Sequence, residues 1–304
     1  MSEAVTPAEA IDVANEVFGS HPGQRALHAK GLVCGGTFVA SAAAGGLTSA
    51  AHMGGLPVPT TVRFSNGGGN PQHPDWMPEP RGLAVKFYLP DDSRTDIVAV
   101  STPIFPVARP DQFISILKAQ AGGRAAAGDL VKLLALNPRM VGSLAQAAPS
   151  LRPAAGYSTI RYHALHAYRW LAADGSSRWV RYRWLPVDGV SHLSPLTARR
   201  RGPDYLIEGL RERLARGPVQ FTLEVQIAGE GDVVDDPSRG WPGERERVNV
   251  GTLNVTGVDS TREKDGDVLV FDPTRVTPGI ACSNDPILLF RRPAYSESVA
   301  RRIA

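Results

Sequence analysis

Two short stretches near opposite ends of the chain hold residues whose types and spacing can do chemistry. In "RALHAKGL", residues 25–32, His28 stands three positions after Arg25 and two before Lys30. Like charge on both flanks disfavours the imidazolium, so the spacing predicts a neutral ring near pH 7. A neutral imidazole can take a proton and give it back. In "RRPAYSES", residues 291–298, Arg291 and Tyr295 are four apart. On a helix they share a face, and the guanidinium reaches the phenol oxygen. A phenol ionises near ~10, and an adjacent permanent cation favours the phenolate.

A tyrosinate is a hard anionic ligand suited to ferric iron and is one of the axial ligands used by haem proteins. Each feature also has an ordinary reading. His28 reads as a core histidine bonded to a backbone carbonyl, and Tyr295 as a tyrosine on a terminal helix with a solvated basic tail. Arg25, Arg63 and Arg302 read singly as surface cations; converged, they would make an anion site for paired carboxylates. The other histidines, His21, His52, His73, His163, His166 and His192, show no metal spacing and are assigned to structure. "SNGGGN", residues 65–70, lacks the Lys-Ser/Thr end of a phosphate loop.

The elements that must position these groups follow from pattern. With 304 residues, 42% hydrophobic and 21% charged, the chain has the composition of a soluble globular protein of one large domain or two modest ones. A net charge of +3 comes without a basic-aromatic module for nucleic acid. Cys34 and Cys282 form no zinc or redox pair and read as reduced thiols of a cytoplasmic protein. No signal peptide and no apolar run of membrane-spanning length is expected.

Thr6-Pro7-Ala8-Glu9 is a capping box that opens a helix ending at Gly19. The small-residue stretch "CGGTFVASAAAGGLTSAAHMGG" favours close backbone approach or irregular structure. From "TTVRFSN" onward the period changes to two, with further strands in "GLAVKFYLP", "TDIVAVST", "STIRYHALHAYRWLA", "SRWVRYRWLPV", "VQFTLEVQIAG" and "NVGTLNVTGV". Asp174-Gly175 marks a hairpin turn. Helical patterns cover about residues 111–147 and "PDYLIEGLRERLAR", and the last stretch starts as loop and ends as a short helix. Seven or eight strands with inserted helices predict an α+β architecture, an antiparallel barrel wrapped by helices, in a single domain over 1–304.

Read together, "RALHAKG", "VRFSNGGGNP", "PRGLAVKFYLPD", "DIVAVSTPIFPVARPDQF", "DDPSRGWP" and "TRVTPGIACSNDPILLFRRPAYSES" resemble, in order, the motifs of the haem catalase family, most closely its small catalase-related peroxidases. The resemblance implies the catalase-like eight-stranded antiparallel barrel and a haem b cofactor. It implies His28 as distal acid–base, Ser65 holding its other ring nitrogen, Phe113 stacked near the haem, and Tyr295 as iron ligand with Arg291 as charge partner. Arg25, Arg63 and Arg302 fall on positions that hold the propionates.

The chain also departs from the family. It ends nine residues after Tyr295, where longer members continue into helical and, in some, flavodoxin-like regions. Val100 stands where the family has a distal asparagine, and valine donates no hydrogen bond to peroxide. The implied activity is therefore reduction of hydrogen peroxide or organic hydroperoxides with oxidation of a small organic donor, with weak catalase activity, in a monomer or homodimer that binds neither nucleic acid nor membrane. The alternatives are an isomerase of fatty-acid hydroperoxides and a non-catalytic haem carrier or sensor.

Overall fold

The computed structural model describes residues 5–121, 128, 131–132, 134–264 and 267–303. Four strands form a meander: β1 (Gly31–Ala40), β2 (Val58–Asn66), β3 (Arg81–Tyr88) and β4 (Arg94–Val100). β5 (Tyr162–His163) and β6 (Tyr168–Leu171) then pair in succession along one edge of β7 (Ser177–Pro186). β8 (Val219–Ile227) takes the other edge of β7, and β9 (Arg247–Val258) joins β8 back to β1. With β4 paired to β5, the ring β1-β2-β3-β4-β5-β7-β8-β9 closes on itself. The result is the expected eight-stranded antiparallel barrel, and closure satisfies the backbone groups that an open sheet would leave at its edges. β10 (Ile280–Cys282) extends β6 outside the ring.

Aromatic side chains fill the barrel. Phe38 meets Phe87 edge-on at 5.3 Å between centroids, and Phe64, Tyr157, Tyr162 and Phe221 stack beside them. In β2, Val62 and Phe64 face this core, so the intervening Arg63 and Ser65 face outward. Yet Arg63 and Ser65 are each only 5% exposed. A second layer covers that outer face: Leu269 and Phe271 pack on Val33, Ala84 and Val98. The outer wall of β1–β4 is therefore itself an interior, and this is where the polar residues with chemical potential lie.

The helices among the described residues include α1 (Pro7–Phe18), α2 (Ala42–Gly45), α3 (Pro110–Ala121), α4 (Pro138–Ala147), α5 (Pro195–Arg200), α6 (Tyr205–Ala215) and α7 (Pro286–Ile303). The capping box forms as expected: the Glu9 amide donates to Thr6 Oγ1 at 3.2 Å and the Thr6 amide to Glu9 Oε2 at 2.7 Å. α1, α3 and α7 share a small apolar cluster of Ala10, Val13, Ile114 and Leu117 with Phe113 and Phe290.

Three local expectations change. Residues 34–40 of the small-residue stretch are strand rather than irregular, because β1 has ladders on both sides. Gly36 permits this, since a Cβ there would lie 2.5 Å from the Asn254 carbonyl oxygen. "STIRYHALHAYRWLA" is not one strand but breaks into a 3-10 turn (Tyr157–Thr159), β5 and β6. The terminal helix is long, 18 residues, with Pro293 inside it. Of the helical segment expected over 111–147, α3 and α4 are observed, and residues 122–127, 129–130 and 133 lie outside the described residues.

Candidate active site

His28 lies in the short segment that leads into β1, and β2 brings Ser65 beneath it through the Gly31–Ser65 register. The His28 Nδ1 and Ser65 Oγ are 3.0 Å apart. The backbone of His28 is left-handed, φ +57°, a conformation rare outside glycine and one that concentrates where geometry serves function. Its amide donates to the Gly67 carbonyl at 3.2 Å, and its own carbonyl accepts from Arg63 Nη1 at 2.9 Å. These bonds hold the strained turn. Gly82 of β3 closes the other side of the ring. A Cβ on Gly82 would sit 2.5 Å from Ser65 Oγ and 3.0 Å from His28 Nδ1. Sequence reasoning did not single out this glycine, although it stands at the start of the "RGLAVKFY" match.

Burial, with Arg63, Arg291 and Arg25 as nearby cations, lowers the His28 pKa to about 3. The neutral ring expected from the sequence is thus present, but its cause differs. Burial outweighs charge, and Lys30 plays no part. The ammonium of Lys30 turns away to Asp75 at 2.8 Å and Asp204 at 2.7 Å.

Val100 ends β4 directly opposite Gly82, so the row Ser65–Gly82–Val100 runs across three strands on the face that carries the His28 ring. An apolar group therefore flanks Gly82 on the side away from Ser65.

The second half of the site is on α7. Arg291 Nε donates to the Tyr295 hydroxyl oxygen at 2.8 Å and Nη2 at 2.5 Å, the pairing expected from the i, i+4 spacing. Behind Arg291 is a chain of buried groups that sequence reasoning missed. Arg291 Nη1 lies 3.1 Å from His166 Nε2, and His166 Nδ1 lies 2.6 Å from Asp285 Oδ2. A guanidinium can only donate, so Nε2 accepts, and the ring proton is on Nδ1, facing the carboxylate. Burial holds His166 below its ordinary pKa against the opposing pull of Asp285. Asp285 Oδ1 also accepts from the amides of Ile287 at 2.8 Å and Leu288 at 3.2 Å, which caps α7. One carboxylate thus starts the helix and orients the histidine that supports Arg291. The only sequence signal was an aspartate before a proline; the His166 contact spans 119 positions.

Arg25, Arg63 and Arg302 converge, as the sequence analysis allowed. Arg25 pairs with Glu263 Oε1, Arg63 Nε donates to Glu263 Oε2 at 2.8 Å, and Arg302 from the end of α7 adds its charge to the same cluster. Burial lowers the Arg25 pKa to about 10, with Arg63 reinforcing it and Glu263 opposing. Burial alone would raise the Glu263 carboxyl, but Arg63 and Arg25 hold it below its ordinary value. Arg302 Nε and Nη2 are buried without a hydrogen-bond partner among the described residues. A cavity of about 700 Å³ opens here, bordered by Arg25, Val33, Arg63, Glu263 and Arg302. Phe113, the remaining site candidate, is on α3 with its ring 5.1 Å from that of Phe105 and packed in the cluster with Phe290 of α7.

Among the described residues no cluster of three or more His, Cys, Asp or Glu could hold a metal, and no helix is long and apolar enough to cross a membrane.

The geometry can be set beside known proteins. The catalase family model matches residues 19–304. The catalase-related peroxidase of Mycolicibacterium paratuberculosis (strain ATCC BAA-968 / K-10) is 46% identical over 302 residues, which cover 99% of this chain and 96% of that one. The catalase-related peroxidase of Synechococcus elongatus (strain ATCC 33912 / PCC 7942 / FACHB-805) is 32% identical over 301 residues, 98% of this chain and 89% of that one. Among solved structures, a fungal catalase and catalase A from Saccharomyces cerevisiae each superpose with a TM-score of 0.80 at 23% identity over 93% of this chain. They share the fold, and this chain spans 60% and 62% of their respective lengths. With the barrel, the motif order and a near full-length match in agreement, the chain belongs to the catalase family.

Proposed function

We propose that the chain is a haem peroxidase that uses His28 as its distal acid–base and Tyr295 as its iron ligand. One observation carries the reading: a buried, strained histidine and a tyrosine oxygen both lie within reach of one guanidinium, that of Arg291. Arg291 joins the two, since it donates to Tyr295 and is among the cations that depress His28.

The catalase family is haem-dependent, and the residues here fit that group on their own chemistry. The Tyr295 oxygen, polarised by two donors from Arg291, is suited to ferric iron. Arg25, Arg63 and the unpartnered donors of Arg302 suit carboxylates such as the propionates of haem b. Val33, Ala84 and Val98 with Leu269 and Phe271 supply apolar wall. Phe113 would anchor the α3 side.

Bound haem would supply the redox chemistry with peroxide. The protein contributes proton traffic and position. Peroxide must lose a proton from one oxygen and gain one on the other before its O–O bond breaks. With Nδ1 turned to Ser65, Nε2 of neutral His28 is free to take the first proton and deliver it to the departing oxygen, which leaves as water. Ser65 fixes the ring so that the same nitrogen performs both transfers. On the other side, the Asp285–His166–Arg291 chain holds the Tyr295 oxygen in place. A small organic donor then completes the cycle by giving up electrons.

The test is a visible spectrum of the haem-loaded protein before and after one equivalent of peroxide, followed by a chromogenic donor. The expected result is a Soret band that changes with peroxide and recovers as the donor is oxidised. A band unmoved by peroxide would make the protein a haem carrier. Rearrangement of a fatty-acid hydroperoxide without donor oxidation would make it an isomerase.

A further inference from the structure

We propose that Glu263 is a placeholder for a haem propionate, filling the Arg25–Arg63 anion subsite until haem arrives and then leaving it. This inference rests on the haem reading above.

Four observations carry it. First, Glu263 engages both arginines at once, one carboxylate oxygen on each. Second, the donors of Arg63 are already divided: Nη1 goes to the His28 carbonyl at 2.9 Å and Nη2 to the Ala29 carbonyl at 3.0 Å, while Nε goes to Glu263. A propionate approaching Nε would meet Glu263 first. Third, Glu263 has φ +56°, a left-handed conformation that a glutamate rarely adopts, so its place on the arginines is held at a backbone cost. Fourth, the bonds that shape its turn are largely local. The Glu263 amide donates to Asp267 Oδ2 at 2.8 Å, Arg262 Nε donates to Asp267 Oδ2 at 2.8 Å, and the Thr261 amide donates to Asp259 Oδ1 at 3.0 Å. Ties from the described residues of this segment to the barrel include the Asp259 amide to the Val33 carbonyl at 3.0 Å and Arg262 Nη1 to the Tyr88 hydroxyl at 3.3 Å, on either side of Glu263, and the about 700 Å³ cavity lies beside it.

The logic is electrostatic. Three converging arginines without an anion would repel one another in a largely buried site. A carboxylate on a tether keeps the haem-free protein folded with the guanidinium groups already aimed. Haem then exchanges one carboxylate for another, so the arginines never lose their counter-charge. The rival view makes Glu263 a permanent third anion, balancing three arginines against two propionates.

The two views predict opposite signs. Haem is titrated into the haem-free wild type and the Glu263→Gln variant, with the Soret band as readout and haem transfer to apomyoglobin giving the off-rate. A placeholder competes with haem, so Glu263→Gln should bind haem on the order of tenfold more tightly, while its haem-free form melts at a lower temperature. Equal or weaker haem binding by the variant overturns the placeholder. Should Glu263→Gln fail to fold, amide exchange in the wild type decides. Exchange across residues 259–264 should rise when haem binds, and unchanged or slower exchange overturns the proposal. A wild type that takes up no haem at all removes the haem reading itself, and the placeholder falls with it; normal wild-type uptake with an indifferent variant removes the placeholder alone.

Discussion

The two faces of the site solve the problem of a buried histidine in different ways. His28 has, among the described residues, a single side-chain partner, Ser65 at 3.0 Å, and a strained backbone turn. His166 has both ring nitrogens engaged, at 2.6 Å and 3.1 Å, and lies in a continuous chain from Asp285 to Tyr295. Both rings are held neutral mainly by burial. A saturated ring cannot exchange protons with a substrate, because each nitrogen is already committed. A ring with one nitrogen free can. The difference fits the division of labour proposed above, with structural support on the Tyr295 side and proton transfer on the His28 side.

The largest effect should come from Tyr295→Phe. It removes the one oxygen that Arg291 presents, so most haem should be lost on purification, read as the ratio of Soret to protein absorbance. A variant that keeps full haem and an unchanged spectrum would place the iron ligand elsewhere.

His28→Ala tests the other face. Haem should stay, and the rate of peroxide consumption should fall roughly 10²–10⁴-fold, the usual worth of a positioned acid–base. Stopped-flow mixing with peroxide measures this. An unaltered rate would mean that water or another residue moves the proton.

The Arg291–Tyr295 contact was legible in the sequence for a physical reason: an arginine four positions before a tyrosine is a local pattern that survives into any fold that makes the helix. The roles of His28 and Tyr295 came only with the resemblance, since the flanking charge that drew attention to His28 is not what chiefly depresses its pKa. The barrel was legible too, since period-two alternation writes itself along each strand. The His166–Asp285 pair was not. His163 and His166 lie three apart in what reads as one strand, on opposite faces, but the chain leaves the sheet between β5 and β6, and His166 turns into the interior. No local pattern marks a contact made by two loops 119 positions apart. Gly82 was hidden for a related reason: its value lies in what a side chain would strike, and only the β2–β3 register shows that. Glu263 had no signal at all beyond its charge.

Asp285→Asn breaks the supported side more gently. Asparagine can keep the cap on α7 through its carbonyl oxygen, but its amide group cannot also accept from His166 Nδ1. A buried N–H left unpaired costs about 1–3 kcal/mol. The haem-loaded variant should therefore unfold at lower urea with an unchanged slope, and its rate with peroxide should change less than that of His28→Ala. A rate loss as large as that of His28→Ala would contradict the division of labour.

Acid should act through the same buried rings. The His28 pKa falls to about 3 in the folded protein, those of His163 and His52 to about 3 and about 4, all chiefly through burial, against ~6.5 when unfolded. Between those values the unfolded chain binds more protons than the folded one, so stability rises with pH across that window and falls as pH drops below ~6.5. Each ring contributes up to about 1.4 kcal/mol per pH unit. Urea melts at pH 7, 6 and 5 should show the decline, and His52→Phe should make it shallower. A His52→Phe slope equal to that of the wild type would show that the ring is not buried neutral. The same low pKa means that the peroxide reaction should show no limb near pH 6.5 that belongs to His28.

The smallest expected effect concerns Val100, where the His28 face lacks a donor. Val100→Asn would place an amide in the Ser65–Gly82–Val100 row, on the face that carries the His28 ring. An amide there could orient peroxide, which valine cannot do. A single ideally placed donor can be worth ~2.7 kcal/mol or more in a transition state. The gain here should be nearer ~1 kcal/mol, about fivefold, because the pocket is shaped to valine and asparagine must be held in one rotamer to help. Orientation matters most when a second peroxide is itself the electron donor, and less when a separate organic molecule supplies electrons. Oxygen evolution should therefore rise about fivefold relative to oxidation of a chromogenic donor, both measured on one preparation. If the ratio stays flat while haem content and the wild-type melting temperature are kept, Val100 does not set the balance between the two reactions. The open, arginine-lined cavity at Arg25 and Arg302 would then be the better place to look for what admits the organic donor.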